Sequence, residues 1–115
     1  MKLSYIADDK KRDEQFVSLF AFGVVSALKE NLITYEDAWD WFLNIRTFIF
    51  VESQEFNKDI IKAIHLSTEL GDVKRIIPYA FESSCDVVLD LLRESLKSNT
   101  FAINNSIDYL IKIEE

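Results

Sequence analysis

The sequence predicts an all-α protein, a single compact helical bundle of five to six helices over residues 1–115. Hydrophobic residues make up 49% of the 115 residues, which is enough to form a core in one domain of this size. The chain contains only two Gly and one Pro, so we expect helices joined by short loops rather than turn-rich β structure. Apolar residues also recur at three- and four-residue spacing, the period of an α-helix.

The first helix is predicted from about Asp9 to Glu30. Its solvated start, "DDKKRDE", leads into an apolar segment in which Phe16, Phe20 and Gly23 recur at helical spacing. Further apolar residues make this segment apolar nearly all round. We therefore expect it at the centre of the bundle, with neighbours on more than one side.

A second helix is expected to start after Thr34, because Asp37 three positions later completes a variant of the capping box. The next segment, "IRTFIFV" at residues 45–51, is rich in β-branched and aromatic residues and could form a short strand. A solitary strand has no partner for its backbone. We therefore interpret this segment as a continuation of the helix or as a packed connector.

The second half of the chain predicts two longer helices around a short one. The first covers about residues 54–70, with Gly71 as the left-handed residue that ends it and Asp72 as the cap of the following turn, "VKRII". Pro78 ends that turn and suits the first position of a helix that reaches about residue 97. The last residues, 101–115, fit a short helix and an edge strand equally well.

The charge of the chain excludes a general nucleic-acid binder and favours a basic protein as partner. Thirteen Lys and Arg stand against twenty Asp and Glu, a net charge of −7, whereas nucleic-acid binding depends on neutralising phosphates. Residues 16–56 are the most one-sided part, with two positive and six negative side chains. We expect no direct contact with nucleic acid.

The sequence also predicts a cytoplasmic protein that does not enter the membrane. Its start, "MKLSYIADDKKRDEQ", becomes polar after six residues and so does not resemble a secretory signal. The most apolar stretch, "FVSLFAFGVVSAL", has thirteen residues and is too short to span a bilayer.

The first candidate binding site is the stretch "EDAWDWF" at residues 36–42. In a helix that starts after Thr34, Trp39 lies on the apolar face and is predicted to be core, whereas the carboxylates lie off that face. Trp41 falls at the margin, where a partly exposed indole beside carboxylates is typical of an interface anchor. Alternatively, the acids only complement the positive end of the helix dipole while Trp41 packs under a neighbouring segment. The predicted partner-binding residues here are Glu36, Asp37, Asp40 and Trp41.

A second acidic row repeats every four residues along the last long helix, at Glu82, Asp86, Asp90 and Glu94. Each like-charge pair costs an isolated helix about 0.2 to 0.5 kcal/mol, which favours a role in partner binding. Arg93 and Lys97 follow on the same face, however, and acids before bases are the order that the helix dipole stabilises. An ordinary solvated face is therefore the alternative interpretation.

No set of residues predicts an enzyme, a metal site or a cofactor. His65 and Glu69 are one helical turn apart, but a catalytic metal site needs a third ligand and the chain has one His and one Cys. We interpret His65 as a structural histidine and Cys85 as a buried thiol, rather than as a base and a nucleophile. The single Cys also excludes an intramolecular disulfide framework.

The stretches "LFAFGVVSALKENLITYEDAW" and "IIKAIHLSTELGDVKRIIP" resemble immunity proteins of bacterial contact-dependent growth inhibition systems. The likeness covers about residues 16–95 and consists of a Gly-interrupted apolar helix, a short loop, a "T-x-x-D-A" helix start and a segment from His to Pro. It is a pattern of core and cap residues, and it transfers no functional residue.

This resemblance implies a cytoplasmic protein that binds a cognate secreted toxin one to one and covers the active site of its C-terminal nuclease domain. Such toxins are often transfer-RNA nucleases, whose clefts are basic because they hold phosphates, and an acidic inhibitor is steered towards such a cleft. The alternative is a non-enzymatic helical adaptor or regulator that binds another basic protein.

Overall fold

The computed structural model of the chain describes residues 2–5, 9–98 and 111–114. A 3-10 turn at Pro78–Ala80 precedes the last helix, and two short strands pair with each other. The elements are β1 (Lys2–Tyr5), α1 (Lys10–Lys29), α2 (Tyr35–Trp41), α3 (Ile45–Ser53), α4 (Lys58–Ser67), α5 (Leu70–Ile76), α6 (Phe81–Ser98) and β2 (Ile111–Glu114). The predicted all-α bundle of five to six helices is confirmed.

Helix α6 packs against α1, α4 and α5. The short helix α2 lies against α1 and α5, and α3 lies against α4. The buried apolar side chains come from every helix and form one cluster, which includes Val25, Leu28, Ala38, Leu43, Val51, Ile60, Ile64, Leu70, Val88 and Leu92. Helix α1 is covered on fewer sides than its sequence predicts. Leu19 is 63% exposed and Phe20 is 42% exposed, because short α2 does not extend over this face of the long helix.

The helix starts follow from side-chain caps. Asp9 caps α1 through Arg12 N, and Thr34 caps α2 through Asp37 N, as the sequence predicts. Asn44 accepts a hydrogen bond from Thr47 N and so starts a separate helix, α3. The segment at residues 45–51 therefore belongs to a helix of its own, and the prediction of a continued α2 or a packed connector is wrong.

The region around Gly71 differs from the prediction. Helix α4 ends at Ser67, and Gly71 lies inside α5 with an ordinary negative φ rather than ending a helix in the left-handed region. Asp72 does not cap a turn, because it lies in the first turn of α5 and pairs with Arg75 at 3.1 Å. A glycine is needed at position 71 because a Cβ there would overlap the ring of Tyr35, 2.5 Å from its Cδ1.

A buried polar network joins α1, α4 and α6. The buried carboxylate of Glu14 accepts a hydrogen bond from Asn57 N at 2.5 Å, and Asn57 Nδ2 donates to Ser95 Oγ at 3.1 Å. Ser95 Oγ lies 2.9 Å from Ser18 Oγ, and Asn57 Oδ1 accepts from Ile60 N to cap α4. These bonds link the three helices to one another. They also give each of these buried polar groups a hydrogen-bond partner.

The strands pair antiparallel, with Lys2 opposite Glu114 and Tyr5 opposite Ile111. The edge strand was one of the two predictions for the end of the chain, and it is confirmed for residues 111–114. Residues 101–110 of that prediction lie outside the described residues. Strand β1 was not predicted, because its pairing partner is more than one hundred residues away in the sequence.

Candidate protein-binding surface

Trp41 is the last residue of α2, and its side chain is 60% exposed. The backbone on both sides of it is fixed. Phe42 N and Leu43 N both donate to Ala38 O, at 2.9 and 2.8 Å, and the side chain of Asn44 donates to Trp39 O at 2.6 Å. A large indole therefore stands at the surface on a helix end that these hydrogen bonds hold in place.

The indole of Trp41 forms one side of an apolar groove along α1. The groove has a volume of about 440 Å³, and every residue that lines it is apolar. The lining residues are Phe16, Leu19, Phe20, Gly23, Val24, Ala27, Ile33 and Trp41. We call this the Trp41 groove.

Aromatic contacts hold one end of the Trp41 groove in place. The rings of Phe16 and Phe20 stack with centroids 5.9 Å apart, and the Phe20 ring meets the Phe42 ring edge-on at 4.8 Å. Ring pairs of this geometry are more favourable than their buried area alone implies. The exposed aromatic side chains are thus positioned by neighbours before any partner arrives.

A second groove continues from the first and shares Phe16 and Trp41 with it. Polar residues enter its lining here, among them Asp13, Asp40 and Arg46. Asp40 is exposed, and among the described residues it forms no ion pair. Of the acids predicted in "EDAWDWF", Asp40 is the one that the structure places beside the exposed indole.

Glu36 and Asp37 lie in the first turn of α2 and line a different cleft, together with residues of α5 such as Asp72 and Lys74. Their position fits the favourable interaction of carboxylates with a helix N-terminus. Trp39 lines the same cleft and is partly buried against Tyr35 rather than fully in the core, which corrects the prediction for this residue. The structure therefore divides the predicted site between two sides of α2.

The acidic row on α6 is largely occupied by ion pairs. Asp86 Oδ1 accepts from Lys29 Nζ of α1 at 2.5 Å, and this bond raises the pKa of Lys29. On α6 itself, Asp90 pairs with Arg93 at 2.5 Å and Glu94 with Lys97 at 3.5 Å, while Glu82 is exposed. These pairs favour the solvated face, the alternative interpretation, over a binding role for Glu82, Asp86 and Asp90.

The environments of His65 and Cys85 do not favour chemistry. His65 Nε2 lies 3.7 Å from Glu69 Oε1 on an exposed helix face, and its ring packs on Phe48 with centroids 5.2 Å apart. The Cys85 side chain is fully buried, and burial, with a smaller contribution from the Asp86 charge, raises its pKa to about 11. A thiol with a raised pKa is a poor nucleophile at neutral pH. Over the ranges that the structure describes, no three His, Cys, Asp or Glu residues group together as metal ligands.

The sequence did not identify the residues of α1 as part of a surface. Leu19 and Phe20 have the spacing of core residues, and nothing in their pattern reveals that short α2 leaves them uncovered. A signal was present at Gly23, because a glycine in the middle of a helix is unfavourable.

None of the described helices is long and apolar enough to cross a membrane.

Residues 8–112 match the profile of a family described as "Protein of unknown function (DUF3969)". No curated protein and no solved structure matches the chain.

Proposed function

Because the chain belongs to the DUF3969 family, whose function is unknown, we propose a function from its surface: it is a non-enzymatic inhibitor of a basic protein. The carrying observation is the exposed indole of Trp41 at the mouth of an apolar groove, with the carboxylate of Asp40 beside it. Exposed apolar patches of this kind are typical of interaction sites in proteins that are otherwise stable alone.

In this proposal, the net charge determines the association rate and the apolar contacts determine the dissociation rate. The net charge of −7 accelerates association with a basic partner and sets its orientation. The Trp41 indole and the aromatic side chains of α1 lose water on binding and little conformational entropy, so they slow dissociation. Binding is one to one and occurs in the cytoplasm.

The resemblance to immunity proteins supports a specific partner, the C-terminal nuclease domain of a secreted bacterial toxin that cleaves transfer RNA. A nuclease cleft that holds phosphates presents Lys, Arg or His, and carboxylates form charge-assisted hydrogen bonds with these side chains. The inhibitor then occupies the place of the nucleic acid without contacting nucleic acid itself.

The test is co-expression with the protein encoded directly upstream, scored by cell survival and by a complex that co-purifies. We expect that protein to be toxic alone, and we expect this chain to rescue growth and form a stoichiometric complex. If the upstream protein is not toxic and forms no complex, the toxin proposal is wrong. A complex with a non-toxic basic protein would instead establish the adaptor.

A further inference from the structure

Gly23 has no packing role among the residues that the structure describes. It lies in the middle of α1 with a negative φ, and a Cβ at this position would meet no atom of the described residues within 4 Å. Alanine would therefore fit, and it stabilises a helix more than glycine does. Gly71 is different, because the Tyr35 ring occupies the space of its missing side chain. Within the described part of the chain, the missing side chain of Gly23 makes room for no neighbour and leaves the helix backbone open to a close approach.

The exposed face of α1 around Gly23 is long enough for another helix to pack on it. From Phe16 to Ala27 the groove follows α1 for about 16 Å, or three helical turns. Large rings fill one end, whereas Gly23 and Ala27 leave a depression at the other, with Trp41 and Ile33 on the α2 side.

Carboxylates stand near both ends of this face. At the Phe16 end, Asp13 and Asp40 line the adjoining groove together with the basic side chain of Arg46. At the other end, the exposed residue Glu30 follows Ala27 by three positions. A partner that fills the groove therefore needs apolar side chains in its middle and positive charge at its borders.

We infer that the Trp41 groove binds an amphipathic helix of the partner, with Lys or Arg beside its apolar face and its backbone crossing α1 at Gly23. The inference rests on the proposed function, that this surface binds a basic protein. A helix fits because it satisfies its own backbone hydrogen bonds and contacts a groove through side chains at positions i, i+3, i+4 and i+7. An extended segment would need backbone partners, and the lining helices α1 and α2 already use theirs internally.

A second copy of the chain is the competing occupant, and its charge is unsuitable. Each copy carries a net charge of −7, so a symmetric contact would bring acidic borders together. Like charges placed opposite each other weaken association.

The experiment uses the Trp39→Phe variant, in which Trp41 is the single tryptophan, and follows its fluorescence. The first probe is a synthetic Leu/Lys peptide that forms a basic amphipathic helix. The second has the same Leu positions with Glu in place of Lys. We expect saturable binding of the basic peptide with a blue shift of Trp41 emission, and binding of the acidic peptide weaker by about tenfold or more.

Gly23→Leu fills the groove and is expected to weaken binding of the basic peptide by about tenfold or more. The matched control is Val87→Phe, which adds apolar volume at an exposed position of α6 without changing charge and should leave affinity unchanged. Gly23→Ala serves as a second variant, because it should raise the melting temperature by about 4 °C and still weaken binding. Circular dichroism checks that each variant is folded.

Equal binding of both peptides would overturn the inference, because the acidic borders would then not select a basic helix. Unchanged binding by Gly23→Leu would also overturn it, because attraction to an acidic surface alone does not depend on the groove. A dimer in sedimentation that Gly23→Leu dissociates would also overturn it in favour of a second copy. If this chain rescues growth in the co-expression test but any of these results is found, the proposed function stands and the inference of a bound helix is wrong.

Discussion

The two glycines of this chain are both inside helices and have opposite meanings. Gly71 makes room for the Tyr35 ring, whose hydroxyl donates to the carbonyls of Thr68 at 2.8 Å and Ser67 at 3.3 Å. The ring is thus held at its far end and has little freedom to move aside. Gly23 has no described atom near its missing side chain, and the proposed binding surface accounts for a glycine there.

We predict that Gly71→Ala lowers the free energy of unfolding by about 1–3 kcal/mol, the usual cost of overpacking. Urea unfolding measures this, with Gly23→Ala as control, which should gain about 0.5–1 kcal/mol. A loss at Gly23 equal to that at Gly71 would show that both glycines have a packing role.

The thiol of Cys85 predicts a loss of stability at alkaline pH. Burial raises its pKa from 9.0 to about 11, so the folded state keeps a proton that the unfolded chain releases. Stability is therefore complete below about pH 9 and falls as the pH rises towards 11. Burial also raises the pKa of Tyr35, so this group likewise lowers the stability as the pH rises.

Urea midpoints of the natural chain and of Cys85→Ala, measured across this pH range, separate the two groups. We expect the variant to be less stable at neutral pH, because it leaves a cavity, but to lose less stability between pH 9 and 11. Parallel pH profiles would mean that Cys85 does not contribute.

At the scale of elements, Asn57 connects three helices through its side chain and its backbone N–H. Its Oδ1 caps α4 at Ile60 N, and its Nδ2 donates to Ser95 Oγ on α6, while its backbone N–H binds Glu14 of α1. We predict that Asn57→Ala costs about 2 kcal/mol, because the cap and a buried hydrogen bond are lost together. Thermal unfolding measures this against Ser53→Ala, whose hydroxyl is exposed. A loss no larger than that of the control would contradict a structural role for the network.

Elements with local signals were predictable and those without them were not. Thr34 and Pro78 mark their helix regions through caps and backbone restriction, which act within a few residues. The break between α4 and α5 was predicted at Gly71 instead of after Ser67, because Gly71 resembles a helix end, whereas a distant ring decides its role. Pairing of β1 with β2 also depends on residues far apart in sequence, which periodicity does not reveal.

The candidate site shows the same division. The exposure of Trp41 followed from its angle on the helix, since helical period fixes the face that a residue occupies. The groove beside Trp41 could not be predicted in this way, because the groove depends on how far α2 extends over α1. The sequence also did not reveal that Asp37 and Asp40 line separate clefts on either side of α2.

For the whole molecule, the negative charge predicts a specific kinetic behaviour. Raising the salt concentration should lower the rate of association with the basic partner and leave the dissociation rate nearly unchanged, because screening acts on long-range steering. Stopped-flow association and dissociation rates measure the two separately. A salt effect confined to dissociation would contradict steering by the net charge of −7.

The most direct measurement of the central claim is the affinity of the purified chain for the proposed partner, the protein encoded directly upstream, by isothermal titration calorimetry. Asp40→Lys combined with Trp41→Ala should weaken binding by about a hundredfold or more, because it removes the anchor and reverses the charge beside it. The control, Asp90→Lys, makes the same charge reversal on the ion-paired face of α6 and should bind nearly as the natural chain does. If the double variant binds with unchanged affinity, or the control loses as much, the Trp41 groove is not the binding surface.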